Sequence, residues 1–233
     1  MKSAQEYKPN QSRGILLLGQ PGSGKTTLAL QLGRKPWIAD CDNNLSGAFR
    51  HLGANCHAMY DIIDLDDELK PIAENLRFTN LTRKVADACK SDCDTLIFDS
   101  YSKVSDYVQD DILRQQGRTQ FQMQDWGTYL NVMKKLTNQM RSTQRMFVAT
   151  AHVRPEKDEV SGIVRYFIAL PGQIQHQLGA LFSDVWLCEC QEKNGQHQFV
   201  VRTMPNTWYA LKNSLGLKPV CTVPEILTAL GYA

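Results

Sequence analysis

The chain has 233 residues, 42% hydrophobic and 21% charged, with 26 basic against 24 acidic side chains. At ~150 residues per domain this is one domain or two, long enough to bury a core without staples. The composition excludes disordered, collagen-like and low-complexity chains, and a net charge of +2 announces no nucleic-acid binder by itself.

The apolar runs around Ile15–Leu18 and Met146–Ala151 fall far short of the ~18 residues of a membrane span. Residues Met1–Glu6 hold no apolar segment of a secretory signal. Seven cysteines without disulfide or zinc-ribbon spacing, among them Cys89/Cys93 and Cys188/Cys190, read as buried or reduced thiols. The expected compartment is therefore a reducing cytoplasm.

In chain order, residues 1–12 are expected as a short arm before a single domain over 13–233. Gly14–Leu18 reads as a strand buried on both faces, followed by a glycine-rich turn and a helix through Leu32. Trp37–Ala39 predicts a second strand, closed by Asp40-Cys41-Asp42-Asn43-Asn44. Asp61, Asp64, Asp66, Asp67 and Glu68 make an acidic run that reads as a solvated face. Leu81, Val85, Ala86 and Cys89 mark a helix leading into a buried strand at Thr95–Phe98. Helical spacing recurs over Val104–Ile112 and over Trp126–Met140, before a strand at Met146–Ala149. Alternating strands and helices predict an α/β fold, a mostly parallel sheet flanked by helices. The last third changes rhythm. Hairpins are expected over Val160–Leu170, around Ser161-Gly162, and over Val185–Arg202, around Lys193-Asn194-Gly195, giving an antiparallel extension on the C-terminal side. Pro224–Leu230 predicts a closing helix.

Gly19-Gln20-Pro21-Gly22-Ser23-Gly24-Lys25-Thr26 matches the G-x-x-x-x-G-K-S/T phosphate loop, with Thr27 following in the helix. Its glycines let backbone N–H groups turn toward a phosphate without Cβ obstruction. Lys25 is expected on the β and γ phosphates and the Thr26 hydroxyl on Mg²⁺. Asp99 ends the buried strand Leu96-Ile97-Phe98, where a carboxylate can hold the same ion. ATP and Mg²⁺ are the expected ligands. Ser100, not Glu, follows Asp99, so a water-activating carboxylate must come from elsewhere. Asp42 is the candidate, with Asp40 as the alternative, since strand ends cluster at the nucleotide edge of a parallel sheet.

Leu96-Ile97-Phe98-Asp99-Ser100, the acid after the second strand and Thr150-Ala151-His152 resemble the RecA-type recombinase core. Asp125-Trp126-Gly127, Ser183-Asp184-Val185 and Arg202-Thr203-Met204-Pro205, with Lys212 beyond, look more narrowly like phage nucleotide-binding ATPases, including the Sak-type single-strand annealing proteins. The likeness covers roughly residues 13–220 and implies a RecA-like P-loop NTPase core. By that resemblance Asp42 is the catalytic carboxylate, although such proteins usually carry Glu. His152 stands where recombinases commonly have Gln, sensing the γ-phosphate, and Lys212 and Arg202 reach a neighbouring subunit's nucleotide.

Recombinase DNA loops follow the metal-binding strand and the next core strand. Here those segments carry Arg114, Arg118 and Phe121, then Arg154, Lys157 and Arg165, within a middle third richer in bases than acids. Arg and Lys suit phosphates and Phe suits base stacking. The implied function is a DNA-stimulated Mg-ATPase that binds single-stranded DNA and promotes annealing or strand pairing in phage recombination. A homo-oligomer or filament, a single-strand DNA-binding protein as partner, no membrane, and the bacterial host cytoplasm complete the expectation. A P-loop kinase acting on a small acceptor is the alternative, and a nucleotide-dependent switch or scaffold in replication or packaging is the other.

Overall fold

All five residues of strand β1 (Gly14–Leu18) are buried, and successive side chains enter different cores. Leu16 and Leu18 join one apolar cluster, Ile15 and Leu17 the other. A period of two through a sheet covered on both sides produces this division. The computed structural model describes residues 13–232 apart from 158, 160, 161 and 194. The expected arm over 1–12, and Ser161 and Asn194 of the two expected turns, lie outside the described residues.

After β1 come helix α1 (Lys25–Gln31), β2 (Pro36–Asp40), α2 (Ser46–Leu52), β3 (Met59–Ile62), α3 (Arg77–Ala88) and β4 (Thr95–Asp99). Then follow α4 (Tyr101–Gln116), α5 (Asp125–Ser142), β5 (Met146–Ala151), β6 (Val153–Lys157), β7 (Val164–Ile168) and α6 (Ile174–Gln177). The chain closes with β8 (Asp184–Lys193), β9 (Gln196–Arg202), β10 (Val220–Cys221) and α7 (Val223–Ala229). The main sheet has eight strands in the order β10-β9-β8-β1-β5-β4-β2-β3. β8, β1, β5, β4, β2 and β3 run parallel, while β9 and β10 add antiparallel. The fold is thus the expected α/β architecture with its antiparallel extension.

Helices α3, α4 and α5 supply Leu81, Val104, Tyr129 and Met133 to one face. Helices α1, α2 and α7 supply Leu28, Ala48 and Ile226 to the other. The Ser100 hydroxyl caps α4 by accepting from Lys103 N at 3.3 Å, and Gly117 ends that helix in the left-handed region, φ 61°. The acidic run is neutralised locally: Asp61 and Asp67 both meet Lys84 at 2.6 Å, and Asp64 meets Arg77 at 3.1 Å.

One expectation changes. The hairpin expected over Val160–Leu170 begins earlier, with β6 paired to β7 from Val153↔Ile168 to Lys157↔Val164, and it forms its own two-stranded sheet. Its first strand, Val153-Arg154-Pro155-Glu156-Lys157, hides from a hydrophobicity pattern because it is polar and carries a proline. The edge strand β3 and helix α2 have too little one-sided apolar content to stand out. Cys188 is buried and Cys190 exposed although both lie on β8, because that strand runs past the edge of the core.

Candidate functional site: a phosphate loop and its acids

The loop between β1 and α1 is built so tightly that its first glycine has no substitute. A Cβ on Gly19 would stand 2.4 Å from Ser23 Oγ and 2.6 Å from the Cys188 carbonyl oxygen. Gly24 is left-handed, φ 85°, and a Cβ there would lie 3.0 Å from the Phe199 ring. Lys25 opens α1 and folds back, its ammonium donating to the Gly19 and Gln20 carbonyls at 3.0 and 2.8 Å. Burial lowers the Lys25 pKa, while Cys188, Asp99 and Asp42 oppose that shift.

Thr26 faces Asp99. Its hydroxyl donates to one carboxylate oxygen at 2.7 Å, and the Thr150 hydroxyl donates to the other. Burial raises the Asp99 pKa; the Thr150 and Thr26 hydroxyls pull the other way. The sheet order makes this cluster possible, since β5 lies between β1 and β4. Thr26 and Asp99 therefore offer a hydroxyl and a carboxylate at hydrogen-bond distance, the hard oxygen donors that Mg²⁺ takes together with phosphate and water. The residues fit that ion. Thr150 is a site residue whose role sequence reasoning left unassigned; only its place across from Asp99 reveals it.

Asp40 ends β2 in register with Asp99. It is 3% exposed, and burial pushes its pKa up to about 6, against the Asn44 and Asn43 backbone N–H groups. Asp42, two residues on, is exposed in the turn, and its charge bears on Lys25, Asp99 and His152. Both acids thus reach the nucleotide edge, Asp40 beneath it and Asp42 at its surface.

Residues 11–215 match the model of an AAA-domain family. The chain belongs to that family. No curated protein sequence matches it. Among solved structures, a KaiC-like protein from the hyperthermophilic archaeon Pyrococcus horikoshii OT3 is 14% identical, with a TM-score of 0.46, over 83% of this chain and 78% of that one. The flagellar accessory protein FlaH from Methanocaldococcus jannaschii is 11% identical, with a TM-score of 0.43, over the same shares.

As an AAA domain the chain is a P-loop ATPase, and His152 sits where its strand β5 leaves the nucleotide edge. The His152 backbone N–H donates to Ser102 Oγ at 3.3 Å, and its carbonyl accepts from Ala169 N at 2.8 Å. Burial lowers the imidazole pKa, Lys25 lowers it further, and Asp42 and Asp99 oppose both. Its Nδ1 is buried with no hydrogen-bond partner among the described residues. A cleft of about 330 Å³ opens beside the loop, lined by Gln20, Pro21, Gly22, Glu189 and Tyr209.

The remaining expected site residues of the AAA domain are scattered. Arg202 pairs with Glu189 at 3.1 Å. The Lys212 ammonium donates to the Phe182 carbonyl, and its backbone pairs with Val185, which is level with Leu16 rather than with the loop after Leu18. Lys212 therefore lies toward the sheet edge away from its own phosphate loop. The segment expected to contact DNA after α4 is tied down. Arg114 pairs with Asp111 at 2.5 Å and the Asn75 carbonyl at 3.1 Å, and Arg118 pairs with buried Asp125 at 2.6 Å. The Phe121 ring lies 4.9 Å from Trp126 and 6.4 Å from Tyr129. On the second segment, Arg154 meets Glu156 at 3.0 Å and Gln175 at 2.6 Å, while Lys157 and Arg165 are exposed on the hairpin. No helix among the described residues is long and apolar enough to cross a membrane.

Proposed function

We propose that the protein is an Mg-ATP-dependent, DNA-stimulated ATPase that binds single-stranded DNA and promotes its annealing or pairing in phage recombination. One observation carries this reading. The hairpin β6–β7 springs from His152 and closes back on its carbonyl through Ala169, while the same residue lies within the field of Lys25 and Asp99. A change of charge at the γ-phosphate position thus acts on the base of a hairpin that carries Arg154, Lys157 and Arg165. Lys25 holds the phosphates, Thr26 and Asp99 hold the metal, and Asp42 orients the attacking water. Subunits share sites in a homo-oligomer or filament, with Lys212 and Arg202 released from their present partners to reach a neighbour. A reducing cytoplasm, that of a bacterial host, suits a chain whose seven cysteines are all free thiols. A single-strand DNA-binding protein is the partner for a protein of this activity.

The test is Mg-ATP turnover with and without single-stranded DNA, in the wild type, Asp42→Asn and His152→Ala. Stimulation in the wild type, slow turnover with ATP still bound in Asp42→Asn, and lost stimulation in His152→Ala are the expected results. Phosphate transfer to a small acceptor, or no turnover at all, would replace this reading with a kinase or a switch.

A further inference from the structure

Residues two apart on a strand share a face, so Phe199 and Val201 of β9 project from the same side of the sheet. Val201 is buried in the cluster beneath α1 with Leu28. Phe199 lies nearer the hairpin turn, opposite Cys190, beyond the level at which β1 ends. Phe199 is 45% exposed, and its ring rests against the phosphate loop at Gly24. An apolar ring left half in water at the mouth of a ligand site lacks a partner on its outer face.

The sheet order says what comes to that face. Asp99 is on β4, two strands from β1 on one side; Phe199 is on β9, two strands from β1 on the other. A linear triphosphate whose terminal group lies by Thr26 and Asp99 therefore directs its nucleoside away from β4, toward β9. From this geometry we infer that Phe199 is the wall against which the nucleotide's base stacks as it leaves the loop. A purine, with the larger π-face, is the base that gains most from such a ring. The inference rests on the reading of the loop as a nucleotide site and adds the recognition of the base to that of the phosphates.

The competing role for Phe199 is to brace the loop at Gly24, and two ligands separate the roles. Mg-ATP carries a base; magnesium with inorganic tripolyphosphate does not. Both are titrated by calorimetry into the wild type, Phe199→Ala and Phe199→Trp, with folding checked by thermal melting. Phe199→Ala should weaken ATP about 10-fold, the scale of one base–aromatic stack, and leave tripolyphosphate unchanged, while Phe199→Trp keeps ATP affinity. Equal losses for both ligands would make Phe199 a brace, and unchanged ATP affinity would remove it from the site; either overturns the inference. Wild-type protein that binds neither ligand would overturn the nucleotide reading itself.

Discussion

The nucleotide edge of the sheet and the basic middle third of the chain were both legible as charged motifs, yet their charged side chains meet different surroundings. At the nucleotide edge the charged groups converge: Lys25, Asp99, Asp40, Asp42 and His152 come from four strand ends and act on one another. In the middle third they disperse into local pairs, Arg114 with Asp111, Arg118 with Asp125 and Arg154 with Glu156. The difference is one of backbone constraint. A phosphate loop forces its residues into a single geometry, whereas a run of bases takes whichever acids the neighbouring turns offer. Charge count along a chain is therefore a poor guide to free charge on its surface.

The sharpest way to break this comparison is to remove the converging charge. Lys25→Ala should lower nucleotide affinity by about 100-fold, the scale of charge-assisted bonds to phosphate, with the melting temperature little changed. Unchanged affinity in a folded variant would dissolve the nucleotide edge as a site.

Asp40 offers a second handle at the same edge. Its carboxyl titrates near 6 in the fold and near 3.9 in the unfolded chain, so the folded state binds more protons between those values. Stability then falls as pH rises from about 4 to about 6, by on the order of 2–3 kcal/mol. Asp40→Asn should flatten that dependence and raise stability at neutral pH, read from urea melts at pH 4.5 and 7. A variant that keeps the wild-type slope would place the titration elsewhere.

In the middle third, Arg118→Ala should cost about 1–3 kcal/mol of stability, because it strips a partner from buried Asp125, whose other oxygen still accepts from Gln122 N at 2.7 Å. DNA affinity should not follow it. Arg165→Ala should do the reverse, leaving chemical denaturation unchanged and flattening the salt dependence of single-stranded DNA binding by about 0.7 in the log–log slope. Equal effects of the two variants on DNA would erase the distinction between paired and exposed bases.

How much was legible varies by element. Strands β1, β4 and β5 were visible because burial on both faces gives unbroken apolar runs, and α7 announced itself with proline near its start; the Glu225 carboxylate that accepts from Thr222 N at 2.8 Å emerged only in the fold. The edge strand β3 and the polar β6 gave no such pattern, since neither faces two cores.

By itself, the sequence determined the phosphate loop, the acid that ends β4 and the alternation that makes an α/β sheet, since each rests on local backbone geometry or side-chain period. Tertiary structure alone decided that β5 lies between β1 and β4, so that Thr150 on β5 and Thr26 on α1 grip the two oxygens of Asp99. It also decided that Arg118 faces Asp125, that Lys212 sits away from its own loop, and that Phe199 reaches Gly24. Those contacts join residues far apart in the chain or across a turn. Their partners are set by strand order and register, which a single sequence leaves open.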